Sequence, residues 1–226
     1  MTRYNMYRLI HKGVRALTAG VLVDFGRLDA ADDAERAALV ARVRDLLDFC
    51  HHHMDNEDRH VHPAMEARAP GSTAAVAADH VHHLHGIESL RAACDRLEAA
   101  APAARAEAAH ALYLELAVFV GENMVHMNVE ETANNAVLWR CYSDAELQGI
   151  EAAIVASLAP PDMAQTLRWM VPSATPAERA DFLLRVRAMV PTPVFADILG
   201  MVTPHLGAID RAKLDAALAP RATAAA

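Results

Sequence analysis

A histidine and a carboxylate stand one helical turn apart in the run Cys50-His51-His52-His53-Met54-Asp55-Asn56-Glu57. The pair with chemical potential is His53 and Glu57, because both continue a stripe that reads Leu39, Val43, Leu46, Cys50, His53, Glu57 in steps of three or four residues. Such a stripe is the core-facing seam of an amphipathic helix, and it is apolar up to Cys50. A histidine and a glutamate on that seam are buried, which costs several kcal/mol unless something binds them. Imidazole and carboxylate together are good ligands for iron, zinc or manganese, so a metal ion is the expected occupant.

Three other segments repeat the interruption. A helix predicted over about residues 3–25 carries Tyr7, His11, Val14, Thr18, Val21 and Phe25 on one stripe, with His11 as its one ligand type. The break at Ala69-Pro70-Gly71-Ser72-Thr73 is followed by a helix to about Ala100, with Val76, His80, His83, Ile87, Leu90, Cys94 and Leu97 in line. After Pro102 a fourth helix runs to about Arg140 through Leu112, Leu116, Phe119, Asn123, His126, Glu130 and Val137. Here too a histidine precedes a glutamate by four residues. The second helix is expected to start at an N-cap within the acidic stretch Asp29 to Asp33 and to continue to about Arg68.

Four long helices with short connections predict an all-α, up-down-up-down antiparallel four-helix bundle. His11 and His80 lie early in their helices and His53 and His126 late, so alternating orientation brings all four towards one end of the bundle. At about 1.5 Å of rise per residue their levels differ by roughly one to two turns. The candidate ligand set is His11, His53, Glu57, His80, His83, His126 and Glu130. Glu130 is preferred to Glu131 because an ideal helix places it about 40° from His126, against about 140° for Glu131. Glu131 would reach a metal through a bulge near Met127 to Val129, and otherwise lies on the flank. His51, His52, His60, His62, His82 and His85 fall off the seams and are expected to be solvated. Asn123 is a candidate for orienting a ligand, and Tyr7 is expected in the core. The pairs Glu57 with His60 and Glu107 with His110 match the E-x-x-H of ferritin-like bundles, but the first helix offers no glutamate and Glu107 lies off its seam.

The remaining composition fits a helical protein. Of 226 residues, 54% are hydrophobic and 5% aromatic, a balance that favours helix packing over sheets. A net charge of −8 with no basic run argues against nucleic acid as a partner. No apolar stretch is long enough for a membrane span, and the N-terminus lacks the apolar run of a secretory signal, so a cytoplasmic location is expected. Cys50, Cys94 and Cys141 form no C-x-x-C motif and are expected as free thiols, Cys50 and Cys94 as small buried hydrophobes.

The ordered combination of a lone His11, His53 with Glu57, His80, and His126 with Glu130 or Glu131 resembles the hemerythrin-like, or HHE cation-binding, family of non-haem di-iron bundles. The resemblance covers about residues 1–157. It implies two iron ions bridged by the two carboxylates and an oxo or hydroxo group, with the histidines as terminal ligands, and zinc or manganese as alternatives. Oxygen carriers of the family use H-x-x-x-H on the third helix, where this chain has His80 and His83 with Leu84 at the place of the second histidine. They also set the fourth-helix acid five residues after its histidine, which would select Glu131. The H-x-x-x-E spacing on both helices is similar to iron-sensing and iron-sulfur-repair relatives. The function implied is binding of O2, NO or peroxide, or iron and redox sensing. A di-iron redox enzyme, reducing peroxide or repairing iron centres, and a zinc-stabilised structural bundle are the alternatives, and no nucleophile or cofactor motif favours an enzyme.

Residues 158–226 read as a helical extension. Ser143-x-x-Glu146 and Thr175-Pro176-Ala177-Glu178 are capping boxes, and Thr192-Pro193 opens another helix. The segment from Trp169-Met170-Val171-Pro172 to Glu178-Arg179 is similar to helical tails found after the metal domain in bacterial hemerythrin-like proteins. The tail is expected to cap the bundle surface, with a homodimer or partner surface as the alternative. The final Ala222 to Ala226 is expected to fray.

Overall fold

The computed structural model describes residues 3–219, so the alanine-rich end expected to fray lies outside the described residues. Helix α1 spans Tyr7–Phe25, α2 Asp33–Asn56, α3 His62–Arg68, α4 Ala74–Ala99, α5 Arg105–Val129 and α6 Asn135–Cys141. Two π-helical segments, Glu57–Val61 and Glu130–Asn134, join α2 to α3 and α5 to α6. The fold is the expected all-α bundle, with α1, α2, α4 and α5 packed around one core and further helices after it. The first helix begins at Tyr7, later than the expected residue 3, and Asn5 Oδ1 accepts the amides of Tyr7 and Arg8.

Local chemistry sets the ends of these helices. Asp32 caps α2, its Oδ1 accepting the amides of Ala34 and Glu35 at 2.9 and 3.0 Å, a contact type contributing about 1 kcal/mol. The turn before α4 places Gly71 at φ +81°, a conformation that costs glycine little. Glu66 closes that turn by accepting the amides of Gly71 and Thr73. Between the ends, the apolar stripes meet: Val43, Leu46, Leu90, Leu97, Leu112 and Leu116 are fully buried. Each contributes about 2 kcal/mol by leaving water. Cys50 and Cys94 are buried among them, as expected.

After the bundle come α7 (Asp144–Ser157) and then the helices of the extension, α8 (Pro160–Ser173), α9 (Pro176–Met189), α10 (Thr192–Val202) and α11 (Ala208–Leu218). Both expected capping boxes form, at Ser143 with Glu146 and at Thr175 with Glu178. Helix α8 lies along α1, so close at Gly13 that a β-carbon there would stand 3.0 Å from the Met170 amide nitrogen. The segment from Trp169 to Arg179 makes the joint. Buried Arg179 donates from Nε to the Val171 carbonyl and from Nη2 to those of Pro172 and Ala174, which lie at the C-terminal end of α8 and just beyond it. Its neighbour Glu178 accepts from Lys12 Nζ of α1 at 2.5 Å. Among the described residues, no helix is long and apolar enough to cross a membrane.

Candidate metal centre

Each of the four bundle helices contributes one histidine to a single buried cluster, and α2 and α5 each lead into a glutamate. His11, His80, His126, Glu57 and Glu130 are nearly inaccessible to solvent, and His53 is only slightly exposed. Two groups of four donors form, in each of which the donor atoms lie within 4.8 Å of one another. One is His11, His53, Glu57 and Glu130, and the other is Glu57, His80, His126 and Glu130. The two groups share both glutamates.

Orientation of the carboxylates explains the sharing. Glu57 turns Oε1 towards His53 Nε2 at 3.3 Å and His11 Nε2 at 3.6 Å, and Oε2 towards His80 Nε2 at 3.5 Å. Glu130 turns Oε2 towards His11 Nε2 at 3.3 Å, and Oε1 towards His126 Nε2 at 3.4 Å and His80 Nε2 at 3.9 Å. Each carboxylate thus presents one oxygen to each histidine pair, as a bridging ligand does. His11 Nε2, His53 Nε2 and all four carboxylate oxygens are buried without a hydrogen-bond partner among the described residues. Such orphaned atoms are rare and costly unless a ligand completes them. Mixed imidazole and carboxylate donors in this density fit divalent cations, and the residues present therefore fit bound metal.

The backbone accounts for the aim of both glutamates. Glu57 and Glu130 each open a π-helical segment, and their carbonyls accept the amides of His62 and Asn135, five residues on. The α-helix stays regular through Val129, so no bulge occurs between Met127 and Val129 and Glu130 keeps the seam of His126. The widened turn that follows brings in the next residue on each chain segment. Asp58, after Glu57, accepts from His80 Nδ1 at 2.8 Å. Glu131, after Glu130, accepts from His11 Nδ1 at 3.0 Å and also from Arg15. The first helical hairpin and the second are therefore near copies in their chemistry. Each acid following a seam glutamate orients the lone histidine of the other hairpin, which fixes the ring so that Nε2 faces inward.

Several expectations need correction. Glu131 is no bystander on the flank, because the π turn swings it onto His11. His62, expected to be solvated, is buried, stacks on His80 with ring centroids 4.9 Å apart, and holds its Nδ1 2.9 Å from Asp58 Oδ1. The same π turn, one residue wider than an α turn, carries it inward. Asn123 does not orient a ligand, since its amide donates to the Phe119 carbonyl of its own helix at 2.9 Å. Asp58 and Asp79 escaped sequence reading altogether. Asp79 Oδ2 lies 3.5 Å from His126 Nδ1, and its one signal in the sequence is its place immediately before His80. His83 is buried beside the cluster, its ring edge-on to His126 at 4.9 Å, but it belongs to neither four-donor group.

Charge follows the same geometry. Burial opposes protonation of His11, but the facing carboxylates of Glu130, Glu131 and Glu57 overcome that and push its pKa up to about 10. His80, against Glu57 and Asp58, rises to about 9 despite burial. Burial and the adjacent His126 and His80 push His83 down to about 4. Glu57 stays well below the ordinary carboxylate range because His53, His11 and His80 outweigh its burial. Tyr7, one turn before His11, has a buried hydroxyl whose pKa is raised by burial and by Glu130 and Glu57.

The family profile described as the hemerythrin HHE cation-binding domain matches residues 2–135, a span containing every residue of both four-donor groups. No curated protein and no solved structure matches the chain significantly.

Proposed function

Because the chain belongs to the hemerythrin HHE cation-binding family, we propose that it is a non-haem di-iron protein that binds O2, NO or peroxide, or senses iron and redox state through such binding. The observation that carries this reading is the pair of four-donor groups sharing Glu57 and Glu130. His11 and His53 would hold one ion and His80 and His126 the other, with His83 standing beside the second as an additional donor. Histidines combined with carboxylates and with positions left free are the donor pattern of non-haem iron, whereas structural zinc favours closed four-donor sites rich in cysteine. The buried free cysteines Cys50 and Cys94 join neither donor group.

When bound, the two ions supply a redox-active pair at which small oxygen and nitrogen species can exchange electrons. The protein's own contribution is positional. Glu131 and Asp58 hold His11 and His80 by their Nδ1 protons, and Arg15 in turn holds Glu131. Phe119 sets its ring edge-on to His83 beside the cluster, with centroids 6.2 Å apart. Binding or sensing is favoured over catalysis because no nucleophile or activated thiol stands at the cluster. Anaerobic purification, metal analysis and optical titration with dioxygen and nitric oxide test the proposal. Two irons per chain with an optical response to either gas are expected. A protein that takes up zinc alone and shows no response to either gas overturns it.

A further inference from the structure

The extension does more than cover the bundle. Helix α8 packs on α1 and α2, but α7 on one side and α9 and α10 on the other stand apart above the first half of α1. Between them lies a chamber of about 910 Å3, within the range of small-molecule sites. Its floor includes Leu9, Ile10 and Phe49, and its walls include Val155 of α7, Phe182 and Val186 of α9, and Ile198 of α10. His53, Asn56 and Glu57 also line it, so the chamber reaches the cluster itself. Tyr7 is a further lining residue, with its hydroxyl buried beside the cluster.

The lining indicates what kind of molecule fits. Its outer acids are already matched: Glu151 accepts from Tyr4, Asp162 lies 3.3 Å from His52, and Asp181 pairs with Arg185 at 2.6 Å. Arg3 is likewise held by Asp144 at 2.6 Å. Arg8 at the rim has no ion pair among the described residues, and Glu57 faces inward at the cluster, but along the apolar walls between them a charged ligand would lose its hydration without compensation. Exposed Val155, Met189 and Val194 surround the opening with apolar surface, with Met189 82% exposed. Apolar surface of this kind marks a place where something apolar arrives.

We propose that this chamber binds a neutral, mainly aliphatic or aromatic small molecule carrying at most one uncharged polar head, and brings that head to the metal centre beside His53 and Asn56. The inference rests on the metal reading above and gives it a substrate or effector class. Under it α7 and the extension together are the specificity element of the protein, since α7, α9 and α10 supply the walls.

The test uses the full chain. Nile red, a neutral apolar dye, is titrated into the protein before and after metal loading, then displaced with decanol and with decanoate. The cobalt-loaded protein is examined by visible absorption on adding decanol. Saturable dye binding, displacement by decanol more readily than by decanoate, and a decanol-dependent change in the cobalt spectrum are expected. Val186→Glu should weaken dye binding about tenfold or more, because it places a charge on the apolar wall. Val155→Glu, at an exposed position that folding does not need, should do the same with an unchanged circular dichroism spectrum. Absence of dye binding in a protein that still takes up two ions per chain overturns the chamber and leaves the metal reading standing. Dye binding without any change in the cobalt spectrum overturns the link to the metals. Tighter binding of decanoate would place an acid head on Arg8 at the rim and overturn the neutral class. A dimer in sedimentation that these variants dissociate, with no dye bound in either state, makes the groove an interface between copies and overturns the inference. Dye binding in a chain that takes up no metal overturns the reading on which it rests.

Discussion

Glu131 accepts the Nδ1 proton of His11 at 3.0 Å while Glu130, its neighbour, turns a bare carboxylate oxygen to Nε2 of the same ring at 3.3 Å. Adjacent acids thus grip opposite edges of one imidazole, at the residues where a π-helical segment begins.

Different roles for the two acids follow. Glu130→Gln should reduce uptake from two ions to at most one, because the amide cannot bridge two cations as a carboxylate does. Glu131→Gln should keep both ions but lower affinity about 10- to 100-fold, the usual effect of removing the acid behind a ligating histidine. Chelator competition monitored by metal analysis separates the cases. Equal losses in both variants would contradict the division.

The near-copy relation of the hairpins makes Asp58→Asn the counterpart of Glu131→Gln. It should weaken metal binding by a similar factor, about 10- to 100-fold, by freeing His80. Asp45→Asn, on an exposed face of α2, should leave affinity unchanged. If Asp58→Asn behaves like Asp45→Asn in chelator competition, Asp58 does not orient His80.

Stability of the metal-free protein should depend on pH from both sides. His11 at about 10 and His80 at about 9 are raised above the ordinary histidine value of 6.5. Their contribution is therefore complete below pH about 6.5 and is lost as pH rises through 9 to 10. His83, lowered to about 4, acts in the opposite sense: the unfolded chain takes up its proton first, so stability falls as pH drops from about 6.5 to 4. Urea midpoints of the metal-free protein should peak near pH 6.5. Metal loading at neutral pH should release protons, since His11 and His80 must give theirs up to bind, and an indicator dye in weak buffer reads this directly.

Two glycines of α1 should respond to alanine with opposite sign. At Gly13 the new β-carbon would meet backbone atoms of Trp169 and Met170 at 3.0 to 3.1 Å, and backbone cannot give way as a side chain can. The strain, about 1 to 3 kcal/mol, should outweigh a helix-propensity gain of about 1 kcal/mol. At Gly20 nothing lies within 4 Å, so Gly20→Ala should gain up to about 1 kcal/mol. Thermal unfolding of both variants is the check, and stabilisation by Gly13→Ala would show that α8 does not press on α1.

Seams made the four bundle helices legible, because burial of Leu46 or Leu112 forces the same spacing that places His53 and Glu57, or His126 and Glu130. The capping boxes at Ser143 and Thr175 were readable for a similar reason: a side chain three residues from its partner satisfies a backbone amide locally. The π turns were not. A period of 3.6 residues cannot announce the place where it widens, so everything beyond Glu57 and Glu130 was projected onto the wrong face. His62, Asp58 and Glu131 all fall in that shadow. The chamber was equally illegible, since it is formed by the placement of α7 against α9 and α10, which no spacing within one helix encodes.

The way Glu57 and Glu130 divide their oxygens has a mechanical consequence. Residues up to Glu57 supply three of the four donors of one group, and residues from His80 onward three of the four donors of the other. Each half of the bundle lacks one donor, and that donor is the other half's glutamate. A metal pair in this arrangement is a double rivet through the chain, and pulling the halves apart requires breaking both rivets together. A chain severed in the short connection between α3 and α4 would keep its halves together by its metals.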